Sequence, residues 1–379
     1  MNISSMQDEL PKHLDLVMLQ QIYALFQRPE KEYINQGCSL LEMLLLDGGD
    51  LDWVFQHWTN RSFRLELNHL DNALGNLVHA HYLAVWFLGF AVTLEPYHLQ
   101  MATITKLDLS YEKQGTVPET ILNLTHLQEL RLKGNDLIEI PDWIECLEQL
   151  EVLDIAHNQI QELPSVLLNL PLLRELIITG NPLHKIPPNI QGLEVDATQL
   201  WKISPEQLQQ LESLSIVHQA KLTLPNHLRY CRNLRSLSIT GSRFLEIPDW
   251  FDELIALRQC TLSGLSLLTF NIALPNLEYL DISHNRISEL PDDFNIWPKL
   301  RVFKADHNQI NEVSETLGEL SQLTEVNLNR NALCVLPDSL GTSKSLRKLW
   351  VSHNYLWDLP ETCDNLEHLT VFEKFGNDL

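Results

Sequence analysis

Five histidines recur at one position of a repeated segment, where imidazoles could bind a metal or sense pH. They are His157, His218, His284, His307 and His353. Imidazole is the commonest metal ligand in proteins and titrates near neutral pH. If successive repeats form strands about 4.8 Å apart, His284 and His307 are neighbours. The series is interrupted by Gly180, Ala197, Gly241, Gly264 and Arg330. We therefore expect the histidines to be ordinary parts of the repeat, with no metal or cofactor bound.

Catalytic chemistry has little support in the sequence. The chain contains no GxxxxGKS/T, HExxH, GxSxG or GxGxxG motif, so the common phosphate-binding and hydrolytic templates are missing. Its six cysteines form no CxxC pair, which argues against a zinc or thioredoxin-type site. A dense polar cluster outside the repeats comprises Asp47, Asp50, Asp52 and His57. We predict that the protein is not an enzyme and has no catalytic residue.

The chain of 379 residues is strongly acidic, with 27 Lys and Arg against 50 Asp and Glu and a formal net charge of −23. This balance argues against nucleic acid and anionic membrane surfaces as partners, because both require clustered basic residues.

Scattered cysteines indicate a reducing, cytoplasmic environment. The apolar run Tyr82–Leu94 has 13 residues, fewer than the ~20 that span a membrane, and predicts a buried helix.

One repeated pattern, LxxLxLxxNxLxxLPxxIxxL, organises the chain after residue 103. Its units begin at Ile104, Leu127, Leu150, Leu173, Ile190, Leu211, Leu234, Leu257, Leu277, Leu300, Leu323 and Leu346, and a stub begins at Leu369. The sequence of Leu150–Asn158 is nearly the same as that of Leu277–Asn285. The alternating LxL residues predict short strands that bury one face and pair in parallel with the next unit. The asparagine offers two donors and an acceptor to neighbouring turns, and the proline fixes the following turn. We expect both to be structural.

The pattern resembles the leucine-rich repeat family, in the 23-residue form found in intracellular Ras-group and bacterial proteins. The resemblance covers Ile104 to the C-terminus. It implies an α/β fold, a leucine-rich-repeat solenoid with a curved parallel sheet, about 12 repeats and a C-terminal stub. It also implies a non-catalytic, cytoplasmic scaffold or adaptor that binds protein partners through its concave face. The alternative is a secreted bacterial effector that binds host proteins through the same repeats.

Residues 1–103 lack the repeat and read as an N-terminal all-α domain before the solenoid of residues 104–379. Helical patterns cover Leu14–Phe26, Tyr33–Leu46, Leu51–Trp58, Leu65–His79 and Tyr82–Leu94. A solenoid needs a cap over the apolar end of its first repeat. The segment is therefore either such a cap or a separate docking module.

The C-terminal half of the concave face is the predicted binding surface. Five positions per repeat face this side, and over all units they hold 11 basic and 13 acidic residues, a net charge of −2. Most of the negative charge therefore lies elsewhere. The predicted protein-binding residues are Tyr279, Arg301, Lys304, Arg330, Arg347, Trp350, His353 and Phe375. Exposed aromatic and arginine side chains of this kind dominate protein interfaces.

Two regions depart from the regular repeat. Units within residues 173–276 are shortened and lose the asparagine, which predicts a change of curvature and leaves a pocket open as an alternative. The solenoid also stops soon after Leu369. A short strand with Phe372 and Phe375 closes this end, or a second copy covers it and forms a homodimer.

Overall fold

The computed structural model describes residues 14–26, 31–44, 54, 104–111, 115–186, 190–217, 221–222, 224–241, 243–244, 247–365 and 369–379. These residues fall into two units, Met1–Pro187 and Pro188–Leu379. The helices predicted over Leu65–His79 and Tyr82–Leu94 lie outside the described residues, as does His218. Of Leu51–Trp58, only Val54 is described. The domain boundary after residue 103 therefore stays a prediction.

The first unit begins with two helices that match the first two predicted from the sequence. Helix α1 spans Leu16–Phe26 and helix α2 spans Lys31–Leu44. The Asp15 carboxylate accepts a hydrogen bond from the Val17 amide at 2.8 Å, as a residue that caps a helix N-terminus does. A methyl group on Gly37 of α2 would lie 2.5 Å from the Phe26 ring. Glycine therefore permits this close approach of the two helices.

Short parallel strands follow in the first unit. They are β1 Lys106–Asp108, β2 Glu129–Arg131, β3 Val152–Asp154 and β4 Glu175–Ile177. Equivalent repeat positions face each other, so Leu107, Leu130, Leu153 and Leu176 form one row. Each LP proline lies directly before a short 3-10 helix, over Glu119–Asn123, Asp142–Cys146 and Ser165–Asn169.

The second unit continues the same construction with a parallel sheet whose strands follow chain order. They are β5 Gly192–Val195, β6 Ser213–Val217, β8 Ser236–Thr240, β10 Gln259–Ser263, β11 Tyr279–Asp281, β12 Val302–Lys304, β13 Glu325–Asn327, β14 Lys348–Trp350 and β15 Val371–Glu373. A separate parallel pair consists of β7 Lys221–Leu222 and β9 Arg243–Phe244. The opposite side carries helices α3 Ala197–Leu200, α4 Pro205–Leu208 and α5 Asp338–Thr342, with 3-10 helices over Asn226–Tyr230, Asp249–Glu253, Phe294–Ile296, Glu315–Leu317 and Glu361–Asn365. The predicted fold class, a parallel-sheet repeat solenoid preceded by helices, is confirmed.

The repeated asparagines are structural, as predicted. Asn331 accepts a hydrogen bond from the Ile310 amide at 3.0 Å and donates to the carbonyls of Ala305 and Leu328 at 2.9 and 3.1 Å. Asn158, Asn181, Asn285, Asn308 and Asn354 bond in the same way. One side chain thus satisfies backbone groups of adjacent repeats that would otherwise be buried and unpaired.

The irregular repeats have longer strands than the regular ones. Strands β6, β8 and β10 each have five residues, whereas β11 to β15 each have three. The asparagine position of these units holds Gln219, Ser242 and Leu265. Without the asparagine to engage the backbone at the strand end, the strands go on pairing with each other, as at Val217 and Thr240. The change of curvature predicted over residues 173–276 involves residues of both units, and it stays a prediction.

An aromatic cluster fills part of the core of the second unit. Phe251, Phe270, Phe294, Trp297 and Phe303 are fully buried, and successive ring centroids lie 5.5–6.5 Å apart. The Trp297 indole nitrogen donates to the Ile272 carbonyl at 2.8 Å, which pairs its polar atom. Large side chains here replace the leucines of other repeats.

The C-terminal stub forms a further repeat strand. Strand β15 pairs in parallel with β14, and Asn377 bonds the Asn354 amide and the Val351 carbonyl as the earlier asparagines do. The predicted closing strand includes Phe372, while Phe375 follows it. The homodimer alternative stays a prediction. No helix within the described ranges has the length and apolar character needed to cross a membrane.

Candidate functional site

Side-chain alternation along β11–β15 creates the surface where the predicted binding residues lie. Leu280, Phe303, Val326 and Leu349 are buried, whereas the residues on either side of them are partly exposed. This is the period of two expected for a strand with one buried face. We call the second, third, fifth, seventh and eighth residues of these repeats the exposed strand face.

Tyr279 and Lys304 form the first contact on the exposed strand face. The Lys304 ammonium lies 5.3 Å from the centre of the Tyr279 ring, within cation–π range. The Tyr279 hydroxyl donates to Asp281 at 3.4 Å, and Asp281 is the strand partner of Lys304. Partial desolvation lowers the pKa of Lys304, but the hydrogen bond with Tyr279 and the negative charges of Asp281 and Glu325 raise it overall. Lys304 therefore presents a fixed positive charge.

Trp350 and Lys348 form the second contact. The Lys348 ammonium lies 2.7 Å from a carboxylate oxygen of Glu325 and 6.0 Å from the centre of the Trp350 ring. Trp350 is half-buried, so part of the indole remains open to a partner. It shares one row of the sheet with Lys304 and Asn327.

The other predicted residues surround these contacts without joining them. Arg301 and Arg347 precede their strands, and the Arg347 guanidinium donates to the carbonyls of Lys344 and Leu346 at 2.9 Å. Arg330 and His353 occupy turns with left-handed backbone, at φ of 56° and 57°. Phe375 is 72% exposed.

The predicted residues are therefore spread over five strands rather than gathered in one cluster. Strands β11 and β14 are three positions apart in the sheet, which corresponds to about 14 Å. Glu325 and Lys348 were not among the predicted residues. Each is the third residue of its repeat, and the two repeats are adjacent. Because equivalent positions face each other across the strands, the sequence already indicated this ion pair.

A group with metal-binding side chains lies at the edge of the exposed strand face. It consists of His284, Asp306 and His307, whose ligand atoms lie within 4.8 Å of one another. The expected proximity of His284 and His307 is confirmed, with ring centres 4.2 Å apart.

Comparison with known proteins identifies the repeat. The family model Leucine Rich Repeat matches residues 126–147, 149–170 and 276–296. A human relative, leucine-rich repeats and immunoglobulin-like domains protein 3, is 29% identical over 125 residues. That match covers 32% of this chain but only 11% of the length of the human protein.

One solved structure shares the fold at low identity. The leucine-rich repeat ectodomain of the membrane receptor kinase GASSHO1/SCHENGEN3 from Arabidopsis thaliana was solved in complex with CASPARIAN STRIP INTEGRITY FACTOR 2. It is 23% identical, with a TM-score of 0.52, over 77% of this chain and 37% of the receptor chain. An internalin from Listeria monocytogenes is 24% identical over 74% of this chain and 76% of the internalin, with a TM-score of 0.49.

Leucine-rich repeat proteins generally serve as protein-interaction scaffolds, and the fold is generally non-catalytic. The repeat length, the parallel register of equivalent leucines, the bonded asparagines and the family matches all agree. The repeats of this chain are leucine-rich repeats, as the family-model matches and the geometry of the repeat both support.

Proposed function

We propose that this protein is a non-catalytic scaffold or adaptor that binds a protein partner on the exposed strand face of its second unit. The observation that carries the proposal is the half-buried Trp350 beside the Lys348–Glu325 ion pair. The indole extends from a paired strand and is half-buried, so binding should cost little further side-chain entropy.

The chemistry of this face suits a protein partner. Tryptophan, tyrosine and arginine are the residues that contribute most to protein interfaces. Tyr279 and Trp350 each have a lysine over the ring, so each offers an apolar surface next to a positive charge. Acidic residues pair with these lysines, which leaves the face close to neutral. We therefore expect a partner with mixed polarity rather than a strongly basic one.

Capture of partners with the full chain and two variants tests this proposal. Trp350→Ala removes the indole from the exposed strand face. Trp357→Ala is the matched control, because Trp357 is 64% exposed but follows the asparagine of the same repeat and lies off the exposed strand face. We expect wild type and Trp357→Ala to retain a protein that Trp350→Ala loses. Equal retention by all three would contradict the proposal.

We further propose a cytoplasmic location for the adaptor. Cys146 and Cys334 are free and exposed. Exposed free thiols are suited to a reducing compartment. In the alternative role, a secreted bacterial effector, the first fifty residues would direct export. An export assay with these residues fused to a reporter separates the two, since a reporter retained in the cell supports the adaptor.

We also propose that residues 1–103 form a helical N-terminal domain that caps the solenoid of residues 104–379. Ile104 and Leu109 of the first repeat are buried, as the end of a capped solenoid requires. Helices α1 and α2 supply buried apolar residues of their own, including Leu19, Ile22 and Leu41.

A further inference from the structure

Two neighbouring repeats place His284 and His307 side by side at the edge of the exposed strand face. Both residues have left-handed backbone, with φ of 57° and 55°. The asparagines that follow them, Asn285 and Asn308, hold these turns through hydrogen bonds to the backbone. The two rings stack with centres 4.2 Å apart and planes inclined by 20°. The repeat thus fixes the spacing of the two imidazoles.

Asp306 brings a carboxylate to the same point. One of its oxygens lies 2.8 Å from His307 Nδ1 and 3.9 Å from His284 Nε2. The other oxygen accepts a hydrogen bond from the side-chain amide of Asn327 at 2.9 Å. The Asp306 side chain is 15% exposed, against 57% for His284 and 41% for His307. A shielded, oriented carboxylate therefore lies beneath two accessible imidazoles.

We infer that His284, Asp306 and His307 form a binding site for a divalent transition-metal ion of the zinc class. Imidazole and carboxylate are ligands for zinc, and two histidines with one carboxylate leave a fourth position for water. Imidazole ligands favour zinc, cobalt or nickel over magnesium and calcium, which prefer oxygen. Among the described residues, no other group of three such side chains meets the same distance condition.

The distances are compatible with coordination after small side-chain rotations. Zinc bonds of about 2.0–2.2 Å in tetrahedral geometry place ligand atoms about 3.3–3.5 Å apart, between the two observed separations of 2.8 and 3.9 Å. The lone pair of an imidazole nitrogen lies in the ring plane, so both rings must tilt out of the stack to meet one ion. Their exposure permits this movement. Asn327 is a positioning residue that holds the carboxylate.

Other histidines at the same repeat position provide internal controls. His157 and His353 also have left-handed backbone, but the following repeats place Gly180 and Gly376 against their rings. Each therefore lacks an equivalent partner at the eighth position of the next repeat. The proposed site depends on the pairing of His284 with His307, not on the repeat position itself.

Calorimetric titration of the full, chelator-treated chain with Zn²⁺ tests the inference. The exposed thiols are first removed as Cys146→Ser and Cys334→Ser, because thiolates bind zinc. We expect one Zn²⁺ per chain that is lost or weakened by at least about tenfold in His284→Asn and in His307→Asn. Asn327→Ala should weaken it by about 10- to 100-fold. His157→Asn should leave it unchanged, and asparagine suits the left-handed backbone at each position.

A thermal melt with and without Zn²⁺ separates loss of the site from loss of the fold. We expect Zn²⁺ to raise the Tm of the parent and of His157→Asn, and to leave that of His284→Asn unchanged. Zinc affinity that is the same in the parent and in both paired-histidine variants would overturn the inference. Failure of the folded parent to bind Zn²⁺ would also overturn it.

Discussion

Each buried asparagine of the repeat bonds backbone groups of adjacent repeats. Asn331→Ala removes the acceptor of the Ile310 amide, whereas the Ala305 carbonyl keeps a hydrogen bond from Asn308. A buried polar group left unpaired costs about 1–3 kcal/mol, so we expect a loss of this size in urea unfolding. Gln309→Ala, at an exposed neighbour, should change stability by less than about 0.5 kcal/mol. Equal stability of the two variants would contradict a structural role for the asparagine.

Asp154 is a buried acid in the first unit whose ionisation opposes folding. Desolvation raises its pKa above 3.8, although a hydrogen bond from the Ala156 amide and the charges of Lys133 and Arg131 lower it in part. The native state therefore holds the proton more tightly than the unfolded state, and this contribution to stability is lost as the pH rises through the folded pKa.

Asp154→Asn should accordingly be more stable than wild type at pH 7, because it keeps an acceptor for Ala156 without the charge. The difference should disappear well below pH 3.8, where Asp154 is protonated in both states. Thermal melts across this range measure it, and Glu162→Gln serves as the exposed control. A less stable Asp154→Asn at neutral pH would show that attraction to the basic neighbours outweighs desolvation.

At the scale of the element, glycines on the side opposite the strands allow the helices of adjacent repeats to approach. A methyl group on Gly318 would collide with the backbone of Ser339 and Leu340 in α5. Gly318→Ala should therefore cost about 1–3 kcal/mol, even though its φ of −72° suits any residue. Glu319→Ala changes an exposed neighbour and should be nearly neutral. Urea midpoints compare them, and a neutral Gly318→Ala would refute the close packing.

The regular elements were predictable because each repeat carries its own signals. The LxL leucines, the asparagine and the LP proline predicted the strands, the turns and the short helices that follow Pro118, Pro141 and Pro164. Helices α3 and α4 were not predicted, although a signal was present. Asp196 with Gln199 and Ser204 with Gln207 both form capping boxes, a pattern readable from sequence spacing.

The contacts between repeats were harder to predict. The aromatic cluster joins Phe251 to Phe270 and Phe270 to Trp297, pairs that are 19 and 27 positions apart in the chain. Their packing depends on the lengths of the irregular units. On the exposed strand face, the repeat position alone predicted which side chains lie at the surface. The pairing of Lys348 with Glu325 and of Asp306 with His307 required side-chain geometry that the pattern does not contain.

At the scale of the whole molecule, the net charge of −23 describes the surface more than the binding face. Acidic residues are frequent on the side of the LP turns, for example Asp142, Glu145 and Asp252. Such residues favour solubility. On the exposed strand face, acidic and basic side chains pair, as in Glu325 with Lys348. If a partner binds this face as we propose, recognition depends on the aromatic residues and their neighbouring cations rather than on overall charge.

The proposed role of residues 1–103 also belongs to this scale. If they cap the solenoid, a fragment of residues 104–379 exposes Ile104 and Leu109 and should aggregate, because a solenoid end without a cap leaves apolar surface in water. Light scattering of the purified fragment measures this. A monomeric fragment with the melting temperature of the full chain would support a separate docking module instead.

We propose that a protein partner binds the exposed strand face through Trp350. The most direct test is the dissociation constant of a captured partner for the full chain, for Trp350→Ala and for Trp357→Ala. Truncation of an interface hot spot costs at least about 2 kcal/mol, or about 30-fold in affinity. We predict a loss of this size for Trp350→Ala and an unchanged constant for Trp357→Ala. An unchanged constant for Trp350→Ala, with the protein folded, would contradict the account.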